Sequence, residues 1–354
     1  MTAQSLRFSR EITGIQYLRG VAAVLVVIAH AASIWELPEF SGPGRLADSL
    51  KYGWIGVDIF FVISGFIIAV VSLTPHSLSP KVGIGEFAAK RFVRIVPFLW
   101  LAVILYAVAR FFGRGAFELA PYLNAMLLWP LGEVRPNVVW TLRHEALFYL
   151  VFCVSFLLFK KPYLVALWCL APLFFGNADE GSLTRFLFNP VNIEFGCGLA
   201  AGLIYLRYDY FSRMPSVSLP LLLAVVVSVF VAASFAGLSA VSLRNAVILG
   251  VCSLGITSIA INMRSAQTPI ERGLELLGAA SYSIYLMHNL AILAFYGTLA
   301  SYLKHLPPLI VVVAGILISI SFGVLVHLLV ERPLIRTLAS RLALPRSSAF
   351  APVS

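Results

Sequence analysis

Residues 12–33 read ITGIQYLRGVAAVLVVIAHAAS, an apolar stretch interrupted by one arginine and one histidine. Arg19 and His30 are eleven positions apart. At ~100° per helical residue that spacing is ~1100°, about 20° from a whole number of turns, so both side chains project from one face of one helix. They lie about 16 Å apart along its axis at ~1.5 Å per residue, roughly half of a ~30 Å hydrocarbon core. Ionisable groups at membrane depth cost on the order of 2.5–3.5 kcal/mol each, which makes both functional candidates. The competing reading is a snorkelling interfacial arginine and a hydrogen-bonded core histidine.

The rest of the chain has the same character. Apolar residues make up 60% of its 354 residues and charged residues 12%, with a mean hydropathy of +0.92. Soluble domains hold roughly 45–50% and about 25%. The pattern predicts an all-α polytopic membrane protein: one bundle of about ten transmembrane helices, near 14–34, 54–73, 92–112, 138–159, 162–176, 190–206, 218–236, 244–262, 279–300 and 309–330. The fifth is short, and the apolar segment 119–131 is too short to span, which leaves it re-entrant or interfacial. With both termini in the cytoplasm, 17 of the 26 Lys and Arg fall on the cytoplasmic side and nine opposite, in keeping with the positive-inside rule. The net charge of +10 therefore sits in short loops and gives no reason to expect a nucleic-acid partner. The expected organisation is a cytoplasmic arm at 1–13, a transmembrane domain at 14–331 and a basic, mobile tail at 332–354.

A signal-peptide reading of the first span, with cleavage near Ala29-His30-Ala31, is disfavoured by the long leader and by Glu11. The four cysteines, Cys153, Cys169, Cys197 and Cys252, all fall within spans and lack metal or redox spacing, so no metal is expected.

Polar residues inside the spans carry the functional signal. Asp58 lies near the outer end of the second span and Ser64 deeper, among Gly53, Gly56 and Gly65, which permit close helix approach. Thr141, Glu145 and Tyr149 recur at i, i+4, i+8 and form one stripe, with His144 turned about 100° away beside Trp140 and Phe148. Ser281, Tyr285, His288 and Asn289 share a face of the ninth span. Interhelical hydrogen bonding is an equal alternative for each taken singly. Arg91 and Arg94 are i, i+3 neighbours at the cytoplasmic mouth of the third span, shortly before Pro97. Alone they read as a topogenic cluster. With Arg19 on the same side they form a clamp for a phosphate-rich ligand, because each guanidinium offers a planar fork of donors.

Six segments, LRGVAAVLVVIAH (18–30), GWIGVDIFFVISGF (53–66), RFVRIVP (91–97), WTLRHEALFYL (140–150), ASYSIYLMH (280–288) and VERP (330–333), resemble in content and order the acyltransferase-3 integral membrane proteins. The resemblance runs from about residue 13 to 333 and looks most like the bacterial exopolysaccharide acetyltransferases. It implies an inner-membrane enzyme that moves an acyl group, usually acetyl, from cytoplasmic acetyl-CoA to a hydroxyl of an exopolysaccharide or lipid-linked sugar. The donor is then a substrate, and membrane lipid surrounds the catalyst. Many members carry two adjacent carboxylates where this chain has His144-Glu145, and the helical stripe favours Glu145 for the acidic role.

On that resemblance His30 is the general base or a transient acyl carrier, Asp58 or Glu145 orients or charge-stabilises its imidazole, and Arg19, Arg91 and Arg94 hold the phosphates, helped by Ser281 and Tyr282. The rival classes are a transporter or flippase, against which no matched pair of interrupted helices is found, and a proton-conducting subunit, which needs no phosphate clamp.

Overall fold

The computed structural model describes residues 12–114, 118–175, 178–179, 181–208, 215–238, 242–263 and 266–343. Arg7, Arg10, Arg213, Arg264 and Arg346, counted in the charge asymmetry above, lie outside them, as do most of the N-terminal arm and the tail beyond residue 343. The described residues are helical, with only two isolated β-bridges, Leu73 with Pro80 and Val217 with Met263.

The helices that position the site are α1 (Thr13–Trp35), α2 (Ile55–Ser72), α3 (Ile84–Arg114), α4 (Leu119–Met126), α5 (Trp140–Phe152), α6 (Tyr163–Leu170), α7 (Val191–Arg207), α8 (Leu219–Ala236), α9 (Leu243–Ile261), α10 (Pro269–Ala279), α11 (Ser281–Leu303), α12 (Pro308–Val326) and α13 (Arg332–Arg341). Among the described residues eight helices are long and apolar enough to cross a membrane, and nine if α10 and α11, which meet at a 75° bend, count as one broken span. The stretch Tyr163–Phe175 is apolar but shorter. α3 runs through Pro97 as one helix. The first part of the expected tail, Arg332–Arg341, is also helical.

Local chemistry sets several ends. α10 opens with Pro269 in its first turn and a reciprocal cap between Thr268 and Glu271, satisfying donors that the first turn leaves unpaired. α8 stops at Gly237, whose φ of 65° is the left-handed conformation that glycine adopts without a Cβ clash.

Interhelical contacts fix the directions. α11 runs parallel to α1, since Arg19 meets Ser281, His30 meets His288 and Ala31 meets Tyr296. α2 runs against α1, with Gly53 near Leu25 and Gly56 near Ala22. α5 and α7 are both parallel to α2: Phe61 meets Trp140 and Phe195, Ser64 meets Glu145, and Gly202 packs on Ala69. The shorter apolar stretch Tyr163–Phe175 lies between α5 and α7 in the sequence.

The tightest crossing is α2 on α7. A Cβ on Gly198 would lie 1.8 Å from the Val62 carbonyl oxygen, and one on Gly65 would lie 2.2 Å from that of Phe195. Only glycines allow the two backbones this contact, which compensates for the absence of a hydrophobic drive between helices in lipid. The outer helices show the opposite pattern. α8 and α12 present Phe235, Val227, Leu317 and Ile310 outward, an apolar surface suited to acyl chains.

The bundle thus has an arginine end, where α1 and α11 begin, and a tryptophan end, where Trp54 and Trp140 open α2 and α5. α1 is packed within this core, with Tyr17, Leu18 and Val27 fully buried.

Candidate functional site

A cavity of ≈ 120 Å³ opens among α1, α2, α3, α5 and α11 toward the arginine end. It is lined by Arg19, Ser64, Arg91, Arg94, Thr141, Glu145, Tyr149, Ser281, Tyr282 and Tyr285, together with apolar side chains including Phe60 and Phe61. Six of the eight expected site residues therefore share one cavity: Arg19, Arg91, Arg94, Glu145, Ser281 and Tyr282. The two that do not are His30 and Asp58.

Each polar group on the wall is held. Arg19 Nη2 donates to Ser281 Oγ at 2.9 Å, and Nη1 donates to Gln16 Oε1 at 3.3 Å. The Arg91 guanidinium lies over the rings of Phe87 and Tyr149, at 5.6 and 5.5 Å from their centroids. Cation–π contact of this kind orients the fork without using its donors. Arg94 sits over Tyr282 at 5.4 Å and donates through Nη1 to Glu331 Oε1 at 2.7 Å. Ser64 donates to Glu145 Oε1 at 2.9 Å, and the Tyr149 hydroxyl donates to the same oxygen. Tyr282 is pinned by its own hydroxyl, which donates to the Ile95 carbonyl at 2.8 Å.

Glu331 was not among the sequence candidates, although it stands in the VERP segment. It is fully buried, and Ser283 Oγ at 2.6 Å and His327 Nδ1 at 2.7 Å complete its partners beside Arg94. His327–Glu331 is a π-helical turn, which brings the two side chains onto one another. A lone glutamate at the end of an apolar span was the available signal. Its partner could not be read, because Arg94 lies 237 positions away.

His30 does not line the cavity. Its Nδ1 is 3.0 Å from the Val26 carbonyl, and its ring packs edge-on against Trp54 at 4.4 Å and His288 at 4.6 Å. A carbonyl can only accept, so in the neutral ring this bond puts the proton on Nδ1 and leaves the Nε2 lone pair as the basic atom. His288 repeats the arrangement, with Nδ1 3.1 Å from the Ile284 carbonyl and Nε2 buried without a partner. Tyr285 links the two levels: it lines the cavity, its hydroxyl bonds Thr141 and the Val138 carbonyl, and its ring stands 6.0 Å from His288. The group that orients the His30 ring is thus a backbone carbonyl of its own helix.

Asp58 points away from this cavity, into a second one of ≈ 80 Å³ that Glu194 also lines. The two carboxyl groups therefore share one cavity wall. Glu194, on α7, was likewise not a sequence candidate. His144 is packed between Trp140 and Phe186, with ring centroids at 5.8 and 4.8 Å. Among the described residues no group of three or more His, Cys, Asp or Glu is placed to hold a metal ion.

A polytopic helical bundle with three arginines on the wall of one internal cavity defines a membrane protein with a basic pocket among its helices. The chain matches the family described as "Acyltransferase domain" over residues 12–328 and belongs to it. It is an O-acyltransferase, as the resemblance in the sequence implied. It is 32% identical over 316 residues to the exopolysaccharide production protein ExoZ of Rhizobium meliloti, an alignment covering 84% of this chain and 94% of that protein. It is 28% identical over 106 residues to the peptidoglycan O-acetyltransferase OatA of Listeria monocytogenes, covering 30% of this chain and 15% of that protein. The O-acetyltransferase OatA of Staphylococcus aureus is 27% identical over 178 residues, 43% of this chain and 26% of that protein. No solved structure matches the chain.

Proposed function

We propose that this protein transfers an acyl group, most simply acetyl, from cytoplasmic acyl-CoA to a hydroxyl of an exopolysaccharide or its lipid-linked precursor in the bacterial inner membrane. The observation that carries the reading is the convergence of Arg19, Arg91 and Arg94 on one cavity whose wall residue Tyr285 neighbours His288, which in turn packs on His30. Three guanidiniums suit the phosphates of coenzyme A, each as a planar fork. The relation to ExoZ supports a polysaccharide acceptor.

In the proposed reaction the arginines anchor the donor and the thioester extends toward Tyr285. The acceptor hydroxyl oxygen attacks the thioester carbonyl carbon while His30 Nε2 takes its proton. The new C–O bond forms, the C–S bond breaks, and the departing thiolate recovers the proton from the imidazolium. The Val26 carbonyl keeps the ring in the tautomer that this step needs. The same lone pair serves an acyl-histidine route, which differs in leaving a covalent intermediate. Glu145, held by Ser64 and Tyr149, places a carboxylate beside the donor.

The matching topology is ten crossings with both termini cytoplasmic, Tyr163–Phe175 being the short fifth. It is supported by the shared direction of α2, α5 and α7 and by the basic asymmetry. Single cysteines at Ser77 and Ser182, in a background lacking the native four, test it. In intact spheroplasts an impermeant thiol reagent should label the second and spare the first; the reverse rejects the orientation.

The activity itself is tested with purified protein in detergent. Acetyl-CoA should lose its thioester faster when acceptor polysaccharide is added, and rapid acid quench with mass spectrometry should find His30 unmodified if it acts only as base. No thioester loss under any acceptor condition would reject acyl-CoA as the donor.

A further inference from the structure

We propose that the second cavity, lined by Trp54, Asp58, Trp140, Glu194 and Asn245, is a subsite that binds one sugar ring of the acceptor; this rests on the glycan reading above.

The cavity lies at the tryptophan end, opposite the arginines. α2 is the wall between the two, and Val57 and Phe61 line both. Successive turns of α2 therefore serve different sides, with Asp58 facing the second cavity and Ser64 the first. Trp54 joins this cavity to the catalytic histidine, because it lines the cavity while its ring packs on His30 at 4.4 Å. A sugar held here leaves its neighbour in the chain beside the imidazole.

The chemistry of the walls selects the ligand class. Asp58 and Glu194 bring two carboxyl groups to the wall of one cavity. Glu194 is 1% exposed, and its Oε2 has no hydrogen-bond partner. A buried acceptor without a donor is costly, and a hydroxyl entering the cavity supplies one. Among the described residues none of the lining side chains is cationic, which removes the attraction that a phosphate or carboxylate ligand would need. Two carboxyls and an amide are too few oxygens for a calcium-like cage, which takes six to eight. Against a neutral polyol the same set is complete. Trp54 and Trp140 supply apolar, aromatic wall for the C–H side of a pyranose, and Asp58, Glu194 and Asn245 supply polar groups for its hydroxyls. The ≈ 80 Å³ cavity is well above the room a single water needs and admits the hydroxyl-bearing edge of one ring.

The test is a titration of the full chain in nanodiscs with a de-O-acetylated oligosaccharide cut from the surface polysaccharide of the producing cell, followed by tryptophan fluorescence. Wild type should bind saturably. Glu194→Gln and Asn245→Ala should each weaken binding about five- to tenfold, the usual worth of one or two hydrogen bonds. Lys304→Ala, on an exposed turn after α11, should bind as wild type does. Because Glu194→Gln alters a buried pair, each variant is first checked for monodispersity and thermal unfolding, and Asn245→Ala carries the test if Glu194→Gln is poorly folded. Wild-type affinity in well-folded variants overturns the subsite and leaves the glycan reading intact. Normal binding with lost transfer also overturns it, assigning the carboxyl pair to chemistry. A wild type that cleaves acetyl-CoA but binds no oligosaccharide overturns the glycan reading, and the subsite with it.

Discussion

The two cavities on either side of α2 are built from opposite materials. The one at the arginine end holds Arg19, Arg91 and Arg94, each braced by a serine, an aromatic ring or Glu331. The one at the tryptophan end holds two carboxyls and two tryptophans, with no cation among its described lining residues. A phosphate-rich molecule is attracted to the first and repelled by the second. A neutral polyhydroxyl molecule finds hydrogen-bond partners in the second without competing for the first. An enzyme that joins a charged cytoplasmic donor to a sugar needs such a division, because the two substrates must meet only at the reacting atoms. His30 stands where they would meet, touching Trp54 on one side and His288 on the other.

The sharpest way to break this comparison is to remove the meeting point. His30→Ala should lower turnover by about 10²–10⁴-fold, the usual contribution of a general base, while coenzyme A binding stays near normal. Isothermal titration with coenzyme A and an acyl-transfer assay on the same preparation measure the two separately. Near-normal turnover would reject the catalytic assignment. Loss of donor binding would make His30 a part of the donor cavity and dissolve the distinction between the regions, moving the search for the base to Glu145 and His288.

Next in size are the arginines. Arg91→Ala and Arg19→Ala should raise the donor KM by about 10- to 100-fold, since a charge-assisted hydrogen bond contributes ~1.5–3 kcal/mol, with residual turnover at saturation. Lysine at either position should restore only part of the loss, because a point charge lacks the fork. Arg94→Ala should differ in kind. It also strands the buried Glu331 with only His327 and Ser283, so a lower unfolding temperature should accompany the weaker donor affinity. Unchanged donor KM in all three variants would leave the arginines as topology signals.

Much of this contrast was legible in the sequence, and the boundary of what was legible is physical. Helical phase is local, so the shared face of Arg19 and His30 and the stripe of Thr141, Glu145 and Tyr149 followed from spacing alone. The stripe does line one cavity. Charge asymmetry is also additive along the chain and gave the end at which the arginines cluster. Pairings between distant helices are not local. Asp58 finds Glu194 and Arg94 finds Glu331 because glycines such as Gly65 and Gly198 let α2 and α7 touch, and because a π-helical turn rotates Glu331 inward. The Val26 carbonyl, 3.0 Å from His30 Nδ1, is a ring partner within the same helix that spacing alone does not reveal. α10 went unread because its apolar positions are few and its course lies between spans. In the structure it packs along α1, with Gly278 close against the Gln16 carbonyl.

The smallest effect tests whether the donor cavity is organised side chain by side chain. Ser281 Oγ accepts from Arg19 Nη2 at 2.9 Å, and Ser281 is buried at the first position of α11. Ser281→Ala removes one acceptor and leaves the guanidinium its Gln16 contact at 3.3 Å. The arginine keeps its charge and loses one restraint, so the donor KM should rise only a few-fold, about what ~0.5–1.5 kcal/mol of net hydrogen bonding is worth. The His30 step is untouched and kcat should hold. In Arg19→Ala the serine no longer has that guanidinium to restrain, so the double variant should have the same donor KM as the arginine variant alone. Additive losses in the double variant would mean that Ser281 contacts the donor directly rather than through Arg19. A fall in kcat with unchanged KM would place Ser281 with the histidines, on the far side of the division.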